Sequence, residues 1–253
     1  MNTNTLDRLR KLKFYGMYHA FKSCIETGQT SQYTADELLA HLVEAEWDDR
    51  SNRRIERSIM SAKFRYKASI ENVHYQADRS IDRNQVMRLA DCTFIDRYEN
   101  VLITGSTGIG KSYIASAIGH QACIQGYRVF YANTPKLFAK LKMAKADGSY
   151  LKDVARLERQ QLLILDDFGI QPFDAQSRAA LMEIIEDRHG KTSLIITSQL
   201  PVSKWYEVIG EKTIADAILD RIVHDAHRME LTGESMRRKR PKTPEIKDLE
   251  NNF

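Results

Sequence analysis

Val101-Leu102-Ile103-Thr104-Gly105-Ser106-Thr107-Gly108-Ile109-Gly110-Lys111-Ser112 is the stretch that decides the fold. Its first four residues form a short apolar run that predicts a buried strand, and the next eight fit GxxxxGK[ST]. An amphipathic helix opens from Gly110, so the context is that of a P-loop as well as the letters. In such a loop the glycines let backbone amides turn inward around phosphate oxygens, and the helix N-terminus adds positive potential. Lys111 is then the residue that reaches the β and γ phosphates, and Ser112 offers a hydroxyl to Mg2+. The expected ligand is a nucleotide.

Further along, Leu162-Leu163-Ile164-Leu165 runs into Asp166 and Asp167. Four apolar residues followed by two acids is the Walker B form. A central strand of this kind delivers Asp166 to the carboxyl edge of a parallel sheet, beside the P-loop, as a candidate for the magnesium shell. Asp167 is a candidate for orienting the attacking water; its competing role is a capped turn before Phe168-Gly169. The next strand, Leu194-Ile195-Ile196-Thr197, ends in Ser198 and Gln199, candidates for a hydrogen bond to the γ-phosphate or to water. On a late helix, Ala217–Ile222, Arg221 is a candidate arginine finger acting on a neighbouring subunit, or else the partner of Asp225 at i+4. Strands also read at 128–132 and 228–231, and helices after Thr134 and at 175–188. Alternation of this kind predicts an α/β fold with a central parallel sheet covered on both faces.

In front of this region, residues 1–67 read as a small all-α N-terminal domain without proline. Thr34-Ala35-Asp36-Glu37 matches the capping box, so a long helix is expected to begin there. Leu38, Leu39, Leu42, Val43 and Trp47 form an apolar stripe expected to pack on the helix of residues 5–27. Arg50, Arg53, Arg54 and Arg57 fall at i, i+3, i+4 and i+7 and share one face, continued by Lys63, Arg65 and Lys67. Such a stripe suits a DNA phosphate backbone, although a solvated face or subunit ion pairs would also produce it. Residues 68–98 read as a linker, 99–235 as the ATPase domain, and 236–253 as a basic, flexible tail that leaves too little chain for a full helical lid.

The overall charge of +4 conceals a segregated distribution. Residues 50–67 hold seven basic groups and one acid, and residues 236–242 hold five and none. Clustered Lys and Arg favour a polyanionic partner, with nucleic acid the first candidate. Composition excludes collagen-like, low-complexity and fully disordered classes. No apolar run is long enough to span a bilayer and the first residues lack a signal-peptide core, so a cytoplasmic protein with no membrane partner is expected. Cys24, Cys92 and Cys123 are too scattered for a metal or disulfide motif and read as reduced and structural. His224 and His227 lack a third metal ligand and read as structural or surface residues.

With GSTGIGKS, LLILDDFG, IITSQLP, ILDRIVHDAH and GESMRRKR in order, and RRIERSIMSAKFRYK and YENVLITG before them, nearly the whole chain resembles the IstB family. These are AAA+ ATPases encoded beside transposases in insertion sequences, with the DnaC helicase loaders as their nearest relatives. The resemblance implies a P-loop AAA+ three-layer αβα domain and an ATPase that assembles as a homo-oligomer on duplex DNA, deforms it and passes it to a cognate transposase. It also implies Asp166 and Asp167 as Walker B, Gln199 with Ser198 as the first sensor, Arg221 as the finger and Arg237 as a candidate second sensor. Asp167 stands where many AAA+ proteins have the longer Glu, which implies slow turnover. A DnaC-like helicase loader is the alternative within this chemistry. A small-molecule kinase, or a DNA-binding module with a structural ATP site, are the alternatives outside it.

Overall fold

A computed structural model of the protein describes residues 2–75 and 80–236. The chain divides into two compact units, Met1–Ser61 and Ala62–Phe253.

In the first unit, helices α1 (Asn2–Lys11) and α2 (Tyr15–Glu26) precede the long helix α3 (Ala35–Ala62). The capping box forms as expected: the Thr34 amide donates to Glu37 at 2.8 Å, and the Glu37 amide donates to Thr34 Oγ1 at 3.3 Å. Gly16 on α2 lies so close to α3 that a Cβ there would sit 2.2 Å from the Ala45 carbonyl oxygen. This contact selects which ridge of α3 is covered. Leu38, Leu42 and Ala45 are half-buried beside the buried Glu46, whereas Leu39, Val43 and Trp47 are 61%, 50% and 75% exposed. The expected apolar stripe is therefore split, and its second half faces solvent.

The second unit is built on a five-stranded sheet, β1 (Asn100–Gly105), β2 (Val129–Asn133), β3 (Leu162–Phe168), β4 (Ser193–Ser198) and β5 (Ala226–Leu231). The order is β2-β3-β4-β1-β5 and every pairing is parallel. Strands buried on both faces need apolar residues at consecutive positions, which is why these runs lack polar alternation. Leu102, Leu163, Leu165, Leu194 and Ile196 join the core formed with α7 (Thr134–Asp147), α8 (Tyr150–Glu158), α9 (Ala175–Arg188), α10 (Trp205–Ile209) and α11 (Lys212–Val223). The opposite face is covered by α6 (Lys111–Ile124), where Gly119 lies against Ile164 and Phe64. The result is a three-layer αβα sandwich.

Residues expected to be a linker belong to this unit. They carry α4 (Arg83–Ala90) and α5 (Thr93–Asp96), and they bury Ile70, Val73, Val86, Leu89, Cys92, Phe94 and Ile95. Gln125, which caps the C-terminal end of α6, donates to the Ala90 carbonyl at 3.0 Å, and Ser193 on β4 donates to the Phe94 carbonyl at 3.2 Å. The mixed composition that suggested a linker reflects short helices, each with one covered side. All three cysteines are buried and free, and burial pushes the Cys92 thiol up to about 12, which suits a packing role. Among the described residues no helix is long and apolar enough to cross a membrane. The 237–253 tail lies outside the described residues.

Candidate nucleotide site

The P-loop sits between β1 and α6, at the carboxyl edge of the sheet. Gly105 has φ 144° and lies against β5, where an added Cβ would be 2.3 Å from the Leu231 carbonyl oxygen. Gly110 caps α6 with φ 104°, in the left-handed region that only glycine enters without cost. The Lys111 ammonium donates to the Gly105 and Ser106 carbonyls at 2.7 and 2.8 Å, which holds it at the mouth of the loop. From the other side, the Met236 amide donates to the Gly108 carbonyl at 2.9 Å.

Asp166 is fully buried at the end of β3 and accepts three hydroxyls. Ser112 Oγ donates to its Oδ1 at 2.7 Å, Thr197 donates to the same oxygen, and Tyr131 donates to Oδ2. Burial and the bond to Asp166 push the Tyr131 phenol up, so it stays a donor at any working pH. A hydroxyl and a carboxylate side by side are hard oxygen donors of the kind Mg2+ takes, so the residues present fit that ion.

Asp167 departs from the strand. A register shift between Leu165 and Phe168 and a φ of 59° turn its side chain away from the ladder, as a bulge does. Its carboxylate accepts from Asn133 Nδ2 at 2.9 Å and from Arg65 Nη1 at 3.3 Å, while its amide donates to Thr197 Oγ1 at 3.3 Å. Asp167, Lys111, Ser112, Thr107, Gln199 and Arg65 line one cavity of about 290 Å3, and within it Thr107 Oγ1 donates to Gln199 Oε1 at 2.6 Å. Ser198 is separate from this group. It is buried, donates to the Phe168 carbonyl at 2.8 Å and accepts from the Leu200 amide at 3.1 Å, so it shapes the turn that presents Gln199. Beside this cavity, and sharing Gly110 and Tyr113 with it, lies a second of about 370 Å3 lined by Asn72, Val73, His74, Ile114 and Met236.

Residues 7–243 match the family model described as IstB-like ATP binding protein. The chain is 47% identical over 234 residues to an insertion-sequence ATP-binding protein, y4pL, of Sinorhizobium fredii, covering 92% of this chain and 96% of that one. It is 30% identical over 231 residues to the ATP-binding protein of insertion sequence IS21 of Pseudomonas aeruginosa, covering 91% and 87%. The chain belongs to the IstB-like ATP-binding protein family. Among solved structures, DnaI superposes with a TM-score of 0.58 at 22% identity over 70% of this chain and 94% of that one. The DnaC helicase loader superposes with 0.55 at 19% identity, over 68% and 100%. The IstB-like chain thus has the AAA+ fold of the DnaC type.

In this IstB-like protein Arg221 lies elsewhere. Its carbonyl accepts from Asn100 Nδ2 at 3.4 Å, at the start of β1, a strand's length or roughly 17 Å from the P-loop that follows Gly105. The expected alternative pair with Asp225 does not form. Arg221 Nη2 instead meets Glu186 on α9 at 2.8 Å, while Asp225 pairs with His224. His227 meets Glu99 at 2.8 Å, and no group of three metal-ligating side chains exists among the described residues. Arg237 lies outside the described residues.

The basic stripe of the IstB-like chain is also redistributed. Arg50 pairs with Glu46 at 2.6 Å and lies over the Phe14 ring; Arg53 pairs with Asp49 and lies over the Tyr15 ring. Arg54 and Arg57 are exposed on α3. Because α3 ends at Ala62 and Lys63 takes φ 61°, Lys63, Arg65 and Lys67 do not continue the helical face. Lys63 and Lys67 are exposed, and Arg65 turns to the two acids. Sequence reasoning missed Tyr131, Asn133 and Thr197. Only Asn133 carried a usable signal, as the last residue of β2, level with Asp166 in the sheet.

Proposed function

We propose that this protein is a Mg2+-dependent ATPase that assembles as a homo-oligomer on duplex DNA and assists the transposase of its insertion sequence. The observation that carries the reading is the Ser112–Asp166 contact of 2.7 Å, set beside Asp167 in the cavity that Lys111 and Gln199 also line. The amides of Gly105 to Ser112 and Lys111 hold the phosphates, and the 370 Å3 cavity beyond Gly110 accommodates the nucleoside. Mg2+ held by Ser112 and Asp166 would supply charge neutralisation at the phosphate oxygens. Asp167, kept in place by Asn133, orients and polarises the attacking water. Gln199 hydrogen-bonds the terminal phosphate, and Ser198 positions Gln199 rather than touching nucleotide.

Arg221, at the amino edge of the sheet, cannot serve the P-loop of its own chain, and we assign it to that of a neighbouring copy. Turnover then requires assembly, and assembly multiplies the weak phosphate contacts of Arg54, Arg57 and their neighbours along DNA. The insertion-sequence relatives favour a transposase over a replicative helicase as the client.

Sizing the full chain by light scattering with duplex DNA, with and without ATP, tests this reading. An ATP-dependent assembly many subunits large on DNA is expected. A monomer that hydrolyses ATP unaided would overturn the intersubunit reading.

A further inference from the structure

Two cations among the described residues line the phosphate cavity, Lys111 and Arg65, and the second belongs to no nucleotide motif. Its backbone is held on both sides. Phe64 packs edge-on against Tyr131 with ring centroids 6.5 Å apart, and Tyr66 meets Tyr113 of α6 at 6.4 Å. The side chain between these anchors is 42% exposed, with Nη1 3.3 Å from Asp167 Oδ2 and 3.6 Å from Asp166 Oδ2.

We propose that Arg65 binds the γ-phosphate of ATP within its own subunit and makes the site distinguish ATP from ADP. The inference rests on the reading of this cavity as the Mg2+·ATP site. A divalent cation drawn to Ser112 and Asp166 would put two positive charges beside the guanidinium, and in a partly desolvated site that repulsion is strong. Arg65 then turns to another anion within a side-chain swing. The terminal phosphate, set between Lys111, Gln199 and Asp167, is that anion. The planar fork of a guanidinium matches a phosphoryl group, and its reach from a fixed backbone selects the phosphate nearest the acids. ADP offers nothing at that position, so Arg65 adds affinity for the triphosphate alone.

The test is equilibrium binding to the full chain, with Mg2+, of ADP and of a non-hydrolysable ATP analogue, for wild type, R65A, R65K and K111A. R65A is expected to lose about tenfold or more in affinity for the analogue, the worth of one charge-assisted hydrogen bond, and less than about threefold for ADP. R65K should recover part of the loss, and K111A should bind neither nucleotide. Equal losses for the two nucleotides, or an unchanged analogue affinity, would overturn the assignment of Arg65 while leaving the ATP site standing. A wild-type chain that binds neither nucleotide would overturn both. Thermal melting without nucleotide checks folding, and if R65A fails to fold, R65K and R65Q carry the same comparison.

Discussion

Asp167→Asn separates the chemistry of the site from its architecture. Asparagine tolerates the left-handed backbone that Asp167 adopts at φ 59°, so the register shift in β3 can persist. Its carbonyl oxygen can still accept from Asn133, a bond of 2.9 Å in the native chain. What is lost is one negative charge 3.3 Å from Arg65. That pair is 42% exposed on the arginine side, which limits its contribution to stability to about 1 kcal/mol at most. Losing a group that orients and polarises water should lower turnover about a hundredfold or more, equivalent to roughly 3 kcal/mol of barrier. The catalytic loss therefore exceeds any loss from unfolding and cannot be mistaken for it. Phosphate release from ATP, nucleotide affinity and the thermal midpoint should be measured on one preparation. The expected outcome is lost turnover with affinity within about threefold and the fold intact. Turnover within threefold of wild type in a folded, nucleotide-binding variant would remove Asp167 from the mechanism.

The divided basic stripe predicts two phenotypes. R54A with R57A should lower duplex-DNA affinity and reduce its salt slope by about 2 without changing the melt, whereas R50A or R53A should lower the stability of the first unit; equal salt slopes would move the DNA surface elsewhere. Glu46 carries a pH dependence. Burial opposes its ionisation, but Arg50 and the Met17 and Gly16 amides outweigh this and hold its carboxyl below the ordinary 4.5. Its contribution is thus complete above pH 4.5 and lost as pH falls through the lower folded value. E46Q should cost about 1–3 kcal/mol near neutral pH, because one amide hydrogen must face a donor, and the gap to wild type should close in acid. A gap that widens below pH 4 would refute the assignment.

The strands, the phosphate loop and the two acids were legible because each is written contiguously. Apolar runs mark strands buried on both faces, and glycines mark a loop that no other residue can form. The support of the two acids was not legible, since Tyr131 and Thr197 reach Asp166 through sheet register, which no spacing along the chain encodes. Arg65 was misread for a different reason. At 100° per residue Arg65 returns to within about 60° of Arg50, on the arginine face, although Lys63 and Lys67 do not, and nothing in Lys63 announces the left-handed turn that ends the helix. In α3 both the 38-42-45 and the 39-43-47 ridges are apolar or small, and only the close approach of Gly16 to Ala45 selects between them.

The central claim is that one chain's P-loop works with another chain's Arg221. Mixing K111A and R221A, each expected to be inactive alone, tests it most directly by phosphate release on duplex DNA. Interfaces pairing an intact P-loop from the R221A chain with Arg221 from the K111A chain should restore up to about a quarter of wild-type turnover in an equal mixture, the random share of such pairings at a head-to-tail interface. Normal turnover by R221A alone, or a mixture as inactive as its parts, would contradict the account.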